Sequence, residues 1–188
     1  MGVLSVGARL GASAEARRKL LHVEMGVVTL GFPWFFSAAW PVILLACMSV
    51  AWFGLLRASR SLEARFGSVL AAGGRDSCGA IWFVCGVCLT FLLSGGDAAA
   101  YCIAILVLTL ADTAAALVGQ RYGRTSKSVQ GSLAFFSVAF GVAFLTLQAL
   151  VPALLVAGVT TAVEAALGRG LDNLFVPLGA LSAIRIVS

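Results

Sequence analysis

Asp112 stands in the apolar, alanine-rich run ADTAAALVGQRYG, and seven residues later the chain reaches Gly119, then Arg121, Tyr122 and Gly123. A short basic loop follows, ending in Lys127, Ser128, Gly131 and Ser132, after which apolar sequence resumes. An acid inside a membrane-type helix is costly to keep there and marks a functional position. Residues seven apart share a helix face, which sets Asp112 and Gly119 side by side. Ala114, Ala115, Ala116 and Gly119 permit close approach by another helix or by a ligand. Glycines let backbone N–H groups face a phosphate, and Arg121, Arg124 and Lys127 offset its charge. The plainer reading is helix packing for the small residues and a structural ion pair for Asp112. GxxxxGK[ST] occurs nowhere, so this is not a P-loop.

Two further sets of residues could share that chemistry. EARRKLLH, from Glu15 to His22, carries Arg17, Arg18, Lys19 and the chain's single histidine, with Glu24 just beyond. Basic residues ahead of a first span ordinarily set topology, but a topology signal does not need His22 and Glu24 inside the span. Near the C-terminus come Glu164, then Asp172-Asn173 and Pro177. Asp172-Asn173 reads equally well as a helix N-cap. Taken together, Asp112, Glu164, Asp172 and Asn173 facing cations suit a hard divalent ion bound with a polyphosphate, because magnesium takes one or two carboxylates plus waters and phosphate oxygens.

The elements that must position these residues are membrane spans. Of 188 residues, 61% are hydrophobic and 11% charged, and the mean hydropathy is +1.03. Soluble domains are about 45–50% apolar and about 25% charged. The composition therefore implies an all-α, polytopic transmembrane bundle forming a single domain over 1–188, with 1–19 as a cytoplasmic tail. That tail is polar, small and basic, and does not read as a cleavable signal peptide. Seven spans are expected, at about 20–36, 38–56, 77–94, 98–118, 132–148, 152–167 and from 174 to the end. Pro152 is expected to break the chain between the fifth and sixth, and Ser94-Gly95-Gly96-Asp97 to form a tight turn. With seven spans, 12 of the 13 Lys and Arg residues fall on the N-terminal side of the membrane. The positive-inside rule then places the N-terminus and all three constellations in the cytoplasm.

Several classes are excluded. The five cysteines lie in or beside apolar segments, and Cys85-x-x-Cys88 has no second pair and no nearby histidine, so a zinc site is not indicated. Basic residues are confined to loops beside spans, which argues against nucleic acid as a partner. No Ser/His/Asp set and no dinucleotide fingerprint occurs. Nothing in the sequence indicates an oligomeric state.

The motifs resemble a known family. LADTAAALVGQRYG followed by KSVQGSLAFF is similar to the CTP-dependent lipid kinases: dolichol kinases, phytol kinases and CTP-dependent diacylglycerol kinases. EARRKLLH resembles that family's N-terminal Arg-Lys motif, and RDSCGAIWFVCGVCLTFLL its third-span region. TTAVEAALGRGLDNLFVPL resembles its C-terminal motif. The resemblance implies transfer of the γ-phosphoryl group of CTP to the hydroxyl of a lipid alcohol (phytol, another prenol, a polyprenol or diacylglycerol), with Mg²⁺ or Ca²⁺. It carries the Arg-Lys pair to Arg18 and Lys19, the aspartate to Asp112 and its glycine to Gly119. The Lys-Ser and Gly-Ser pairs fall on Lys127-Ser128 and Gly131-Ser132, the late acid on Glu164, and Asp-Asn on Asp172-Asn173. Two departures stand out: only three residues separate Gly123 from Lys127, and Leu171 replaces the first aspartate of the usual pair.

On this reading Asp112, Arg18, Lys19 and Glu164 are catalytic. Gly119, Arg121, Gly123, Lys127, Ser128, Gly131 and Ser132 hold phosphate, and Asp112, Asp172 and Asn173 hold the metal, with His22 nearby. Whether Asp112 and Glu164 act as metal ligands or as bases stays open. A CTP:phosphatidate cytidylyltransferase is the competing enzyme, but its lysine-aspartate and paired-aspartate signature is missing. A small transporter is the non-enzymatic alternative, and it would predict acids near the midplane and repeated, interrupted helices.

Overall fold

The computed structural model describes residues 14–59, 78–122 and 127–187. Among them the chain is helical, with no strand. The helices are α1 (Ala14–Leu30), a single turn α2 (Phe32–Phe35), α3 (Ala39–Ala58), α4 (Gly79–Ser94), α5 (Ala98–Arg121), α6 (Val129–Leu147), α7 (Leu150–Ala166) and α8 (Asp172–Val187). Three of them, α3, α5 and α6, are long and apolar enough to cross a membrane, and α4 and α7 are shorter apolar helices. These helices mark the chain as a membrane protein.

Contacts between helices give their directions. From α1 to α5, Lys19 meets Asp112, His22 approaches the Leu108 carbonyl, and the Tyr101 hydroxyl donates to the Thr29 carbonyl at 2.9 Å. Partner numbers fall as α1 numbers rise, so the two helices are antiparallel. Helix α6 returns against α5, with Gly131 beside the Ala115 carbonyl and Ser128 beside Gly119. Ser132 faces Glu164 across the α6–α7 pair, which is also antiparallel. Asn173 bonds to Gly79 and Arg185 to Leu93, so α8 and α4 run the same way. One end of the bundle thus collects the start of α4, the end of α5, the start of α6, the end of α7 and the start of α8.

Helix α5 is the centre: 56% of its most apolar window is buried, against 11% for α3. Tyr101, Ile103, Ile105 and Leu108 on α5 pack with Phe135 on α6, Val156 on α7 and Val176 on α8. The expected turn at Ser94–Asp97 is present. Gly95 and Gly96 take φ of 64° and 90°, and Asp97 caps α5 by accepting from the Ala100 N–H at 2.9 Å.

Some element boundaries differ from the sequence expectation. Helix α1 starts at Ala14 and stops at Leu30, not 20–36. Ala14 to Lys19 are strong helix formers, whereas Gly31 followed by Pro33 ends the run. Lys19 therefore sits on the helix, not ahead of it. The α6–α7 break falls at Gln148-Ala149, and Pro152 lies in the first turn of α7, where a missing N–H costs nothing. Inside α5, residues Val107–Ala111 form a π turn immediately before Asp112. No pattern of apolar residues announces it.

Candidate functional site

Charged side chains form two clusters, the first deeper between α1 and α5 and the second at the collecting end. The Lys19 ammonium donates to Asp112 Oδ2, and both residues are nearly sealed from solvent, at 5% and 7% exposure. His22 Nε2 lies 3.5 Å from the same Oδ2 and 3.4 Å from the Leu108 carbonyl oxygen. Both neighbours are acceptors, which suits a ring whose Nε2 carries the hydrogen. The Leu108 carbonyl belongs to the π turn, a device that shifts backbone groups out of the ordinary helical ladder and recurs at functional sites. Phe83 from α4 meets the His22 ring edge-on at 4.9 Å and closes the apolar side. Asp112 lies nine residues before Arg121, about 14 Å deeper along α5. A buried ammonium–carboxylate pair at that depth is kept only when each charge has its partner.

The second cluster lies where α6, α7 and α8 meet. Lys127 Nζ donates to Glu164 Oε1 at 2.5 Å, to Asp172 Oδ2 at 3.3 Å and to the Glu164 backbone carbonyl. Glu164 is buried at 6% exposure and its other oxygen, Oε2, accepts from the Ser132 hydroxyl at 3.4 Å. Ser128 is the N-cap of α6: its Oγ accepts from the Gly131 N–H at 3.1 Å. The first turn of α6 thus points backbone donors, and the positive end of the helix dipole, toward the Lys127 cluster. Gly131 sits close to its neighbour: a Cβ there would lie 3.0 Å from the Ala115 carbonyl oxygen, a tight contact. Gly119 is looser, with a Cβ position 3.6 Å from Ser128 Oγ.

The residues singled out from sequence are therefore brought together in two sets of contacts. Lys19, His22 and Asp112 form one; Lys127, Ser128, Gly131, Ser132, Glu164 and Asp172 form the other. Asn173 is committed to α4, its amide nitrogen donating to the Gly79 carbonyl at 2.9 Å. Arg121 is exposed at the end of α5. Gly123 lies outside the described residues, and so does the Arg18 side chain. Among the described residues, no three His, Cys, Asp or Glu side chains are grouped to hold a metal ion. Asp172 and Glu164 offer hard oxygens to one ammonium, a donor set that suits a divalent ion whose remaining positions are filled by phosphate and water.

Two close approaches escape the sequence reading. A Cβ on Gly26 would lie 2.2 Å from Thr109 Oγ1 in the π turn. One on Gly86 would lie 2.3 Å from the Asn173 carbonyl oxygen. Pro177, four residues on, has no N–H to give that carbonyl, which packs against Gly86 instead. A glycine in an apolar helix is the only signal of either contact, and many glycines here, such as Gly54 and Gly141, meet nothing.

Alongside this geometry stand the comparisons with known proteins. The chain is 33% identical over 183 residues to the phytol kinase of Synechocystis sp., an alignment spanning 88% of this chain and 76% of that protein. No protein-family model matches the chain. No solved structure matches it significantly.

Proposed function

The chain belongs to the family of lipid kinases that includes this phytol kinase, and on that premise we propose that it transfers the γ-phosphoryl group of CTP to the hydroxyl of a lipid alcohol, phytol or a related prenol. The observation that carries the reading is Lys127 bridging Glu164 and Asp172 at the N-terminus of α6. Phosphoryl transfer asks for positioning and charge neutralisation more than for covalent chemistry. A lysine at the start of α6 that exchanges its carboxylate partners for phosphate oxygens supplies both.

In this reading Lys127, Arg121 and the first-turn N–H groups of α6 grip the triphosphate. Glu164 Oε2, already paired with Ser132, orients the lipid hydroxyl and takes its proton. The alcohol oxygen bonds to the γ-phosphorus, the bond from that phosphorus to the bridging oxygen breaks, and its electron pair leaves on CDP. Asp172, with phosphate oxygens, would hold magnesium, which supplies charge neutralisation on the triphosphate when bound. Asp112 fixes the Lys19 ammonium between α1 and α5. His22 supports that carboxylate from the other side.

The same reading takes seven membrane spans with the N-terminus and both clusters facing the cytoplasm, where CTP is available. The nucleotide product tests it. CDP accumulating only when a lipid alcohol is supplied supports the kinase. Pyrophosphate released with phosphatidate would instead indicate cytidylyl transfer.

A further inference from the structure

Beside the Lys127 cluster a groove of about 410 Å³ opens between α6 and α7. It is lined by Lys127, Ser128 and Ser132 around the start of α6 and by Leu133 and Phe136 farther along that helix. Ser132, in the groove lining, donates its hydroxyl to Glu164 Oε2 at 3.4 Å, which sets that buried carboxylate beside the groove.

The apolar end continues along α6. Phe136 stacks on Phe140 with ring centroids 6.4 Å apart and planes 4° apart, and Phe140 on Phe144 at 5.6 Å and 15°. Residues four apart align on one helix face, so the three rings form a ladder that begins in the groove. Leu133, at 62% exposure, and Phe144, at 37%, leave the track open on its lipid side. From Ser132 to Phe144 the helix rises about 18 Å, somewhat more than half of an about 30 Å hydrocarbon core.

We infer that this groove and its phenylalanine ladder are the binding track for the acceptor's hydrocarbon chain, with its hydroxyl entering beside Ser132 and Glu164. This rests on the lipid kinase reading above. One track of one ring's width takes one chain, so the occupant is a single-chain lipid alcohol lying in one leaflet. Phe136 controls entry of the part of the chain nearest the hydroxyl, and Phe144 meets only long chains. Both are positioning residues.

Photo-cross-linking of the full-length protein in liposomes tests the track without needing turnover. A phytol analogue carrying a diazirine in its chain should label residues between Leu133 and Phe144, and excess phytol should suppress that labelling. Kinetics add an independent readout. Phe136→Trp should raise KM for phytol by about tenfold and leave KM for CTP unchanged. Phe144→Ala should raise KM for phytol but not for the short prenol geraniol. Labelling confined to other helices would overturn the inference, as would equal effects of Phe144→Ala on both alcohols, or a two-chain diacylglycerol that outcompetes phytol for the label. Absence of phosphate transfer by the unaltered protein would sink the kinase reading, and the cross-linking would still decide the track.

Discussion

Lys127 and Glu164, from the start of one helix and the end of another, are joined twice: the ammonium donates to Oε1 at 2.5 Å and also to the Glu164 backbone carbonyl. One lysine thereby ties the loop before α6 to the last turn of α7, and reaches Asp172 at the start of α8 as well. Three helix ends are held around one positive charge. The arrangement is poised to exchange carboxylate partners for phosphate oxygens.

Glu164→Gln keeps the size and the Ser132 contact but removes the proton acceptor. The expected result is a fall in kcat of about a hundredfold or more, in the range for a lost general base, with KM for CTP little changed. Steady-state kinetics on protein with an unaltered melting profile would check it. Full activity in Glu164→Gln would remove this carboxylate from the chemistry.

Lys19→Met leaves Asp112 buried without its ammonium. Breaking a buried ion pair from one side costs about 3–5 kcal/mol, so folded yield and melting temperature in detergent should drop sharply. Lys19→Met combined with Asp112→Leu should recover much of the stability while remaining inactive. Recovery of activity together with stability would make the pair purely structural.

Ser128→Ala removes the cap of α6. A cost of about 1 kcal/mol in stability is expected. Because the same first turn is proposed to hold phosphate, KM for CTP should rise while KM for the lipid stays put. A lowered melting temperature with both KM values unchanged would confine Ser128 to capping.

The packing glycines give a contrast that involves no chemistry. Gly86→Ala would drive a Cβ to 2.3 Å from the Asn173 backbone oxygen. Backbone must then move between α4 and α8, at about 1–3 kcal/mol for an overpacked contact. Gly141→Ala meets nothing within 4 Å and should be neutral or stabilising by up to about 1 kcal/mol. Paired thermal melts would check both.

Much of the frame was legible in the residues. Hydropathy located the long helices of the described parts to within a few residues, since burial in hydrocarbon and helix length leave few choices. Ser94-Gly95-Gly96-Asp97 announced its turn, though not the cap that Asp97 places on α5. The clustering of basic residues and acids anticipated that Lys127, Glu164 and Asp172 meet at one end. Hidden were the features that depend on distance between helices. Asp112 pairs with Lys19, which lies on α1 because that helix begins earlier than its hydropathy indicates. The π turn before Asp112 depends on how α5 packs against its neighbours, which the spacing of apolar residues does not encode. The phenylalanine ladder was in plain view at 136, 140 and 144, but its meaning depends on the groove that only the α6–α7 pairing creates.

The most direct measurement follows the label from γ-labelled CTP in liposomes containing the protein, Mg²⁺ and, in turn, phytol, farnesol, a polyprenol or diacylglycerol. The account predicts label in the phosphate ester of a single-chain alcohol, with phytol or a close relative preferred, and none with Glu164→Gln. Label in no lipid, from protein shown to be folded, or label released only as pyrophosphate with phosphatidate present, would contradict it.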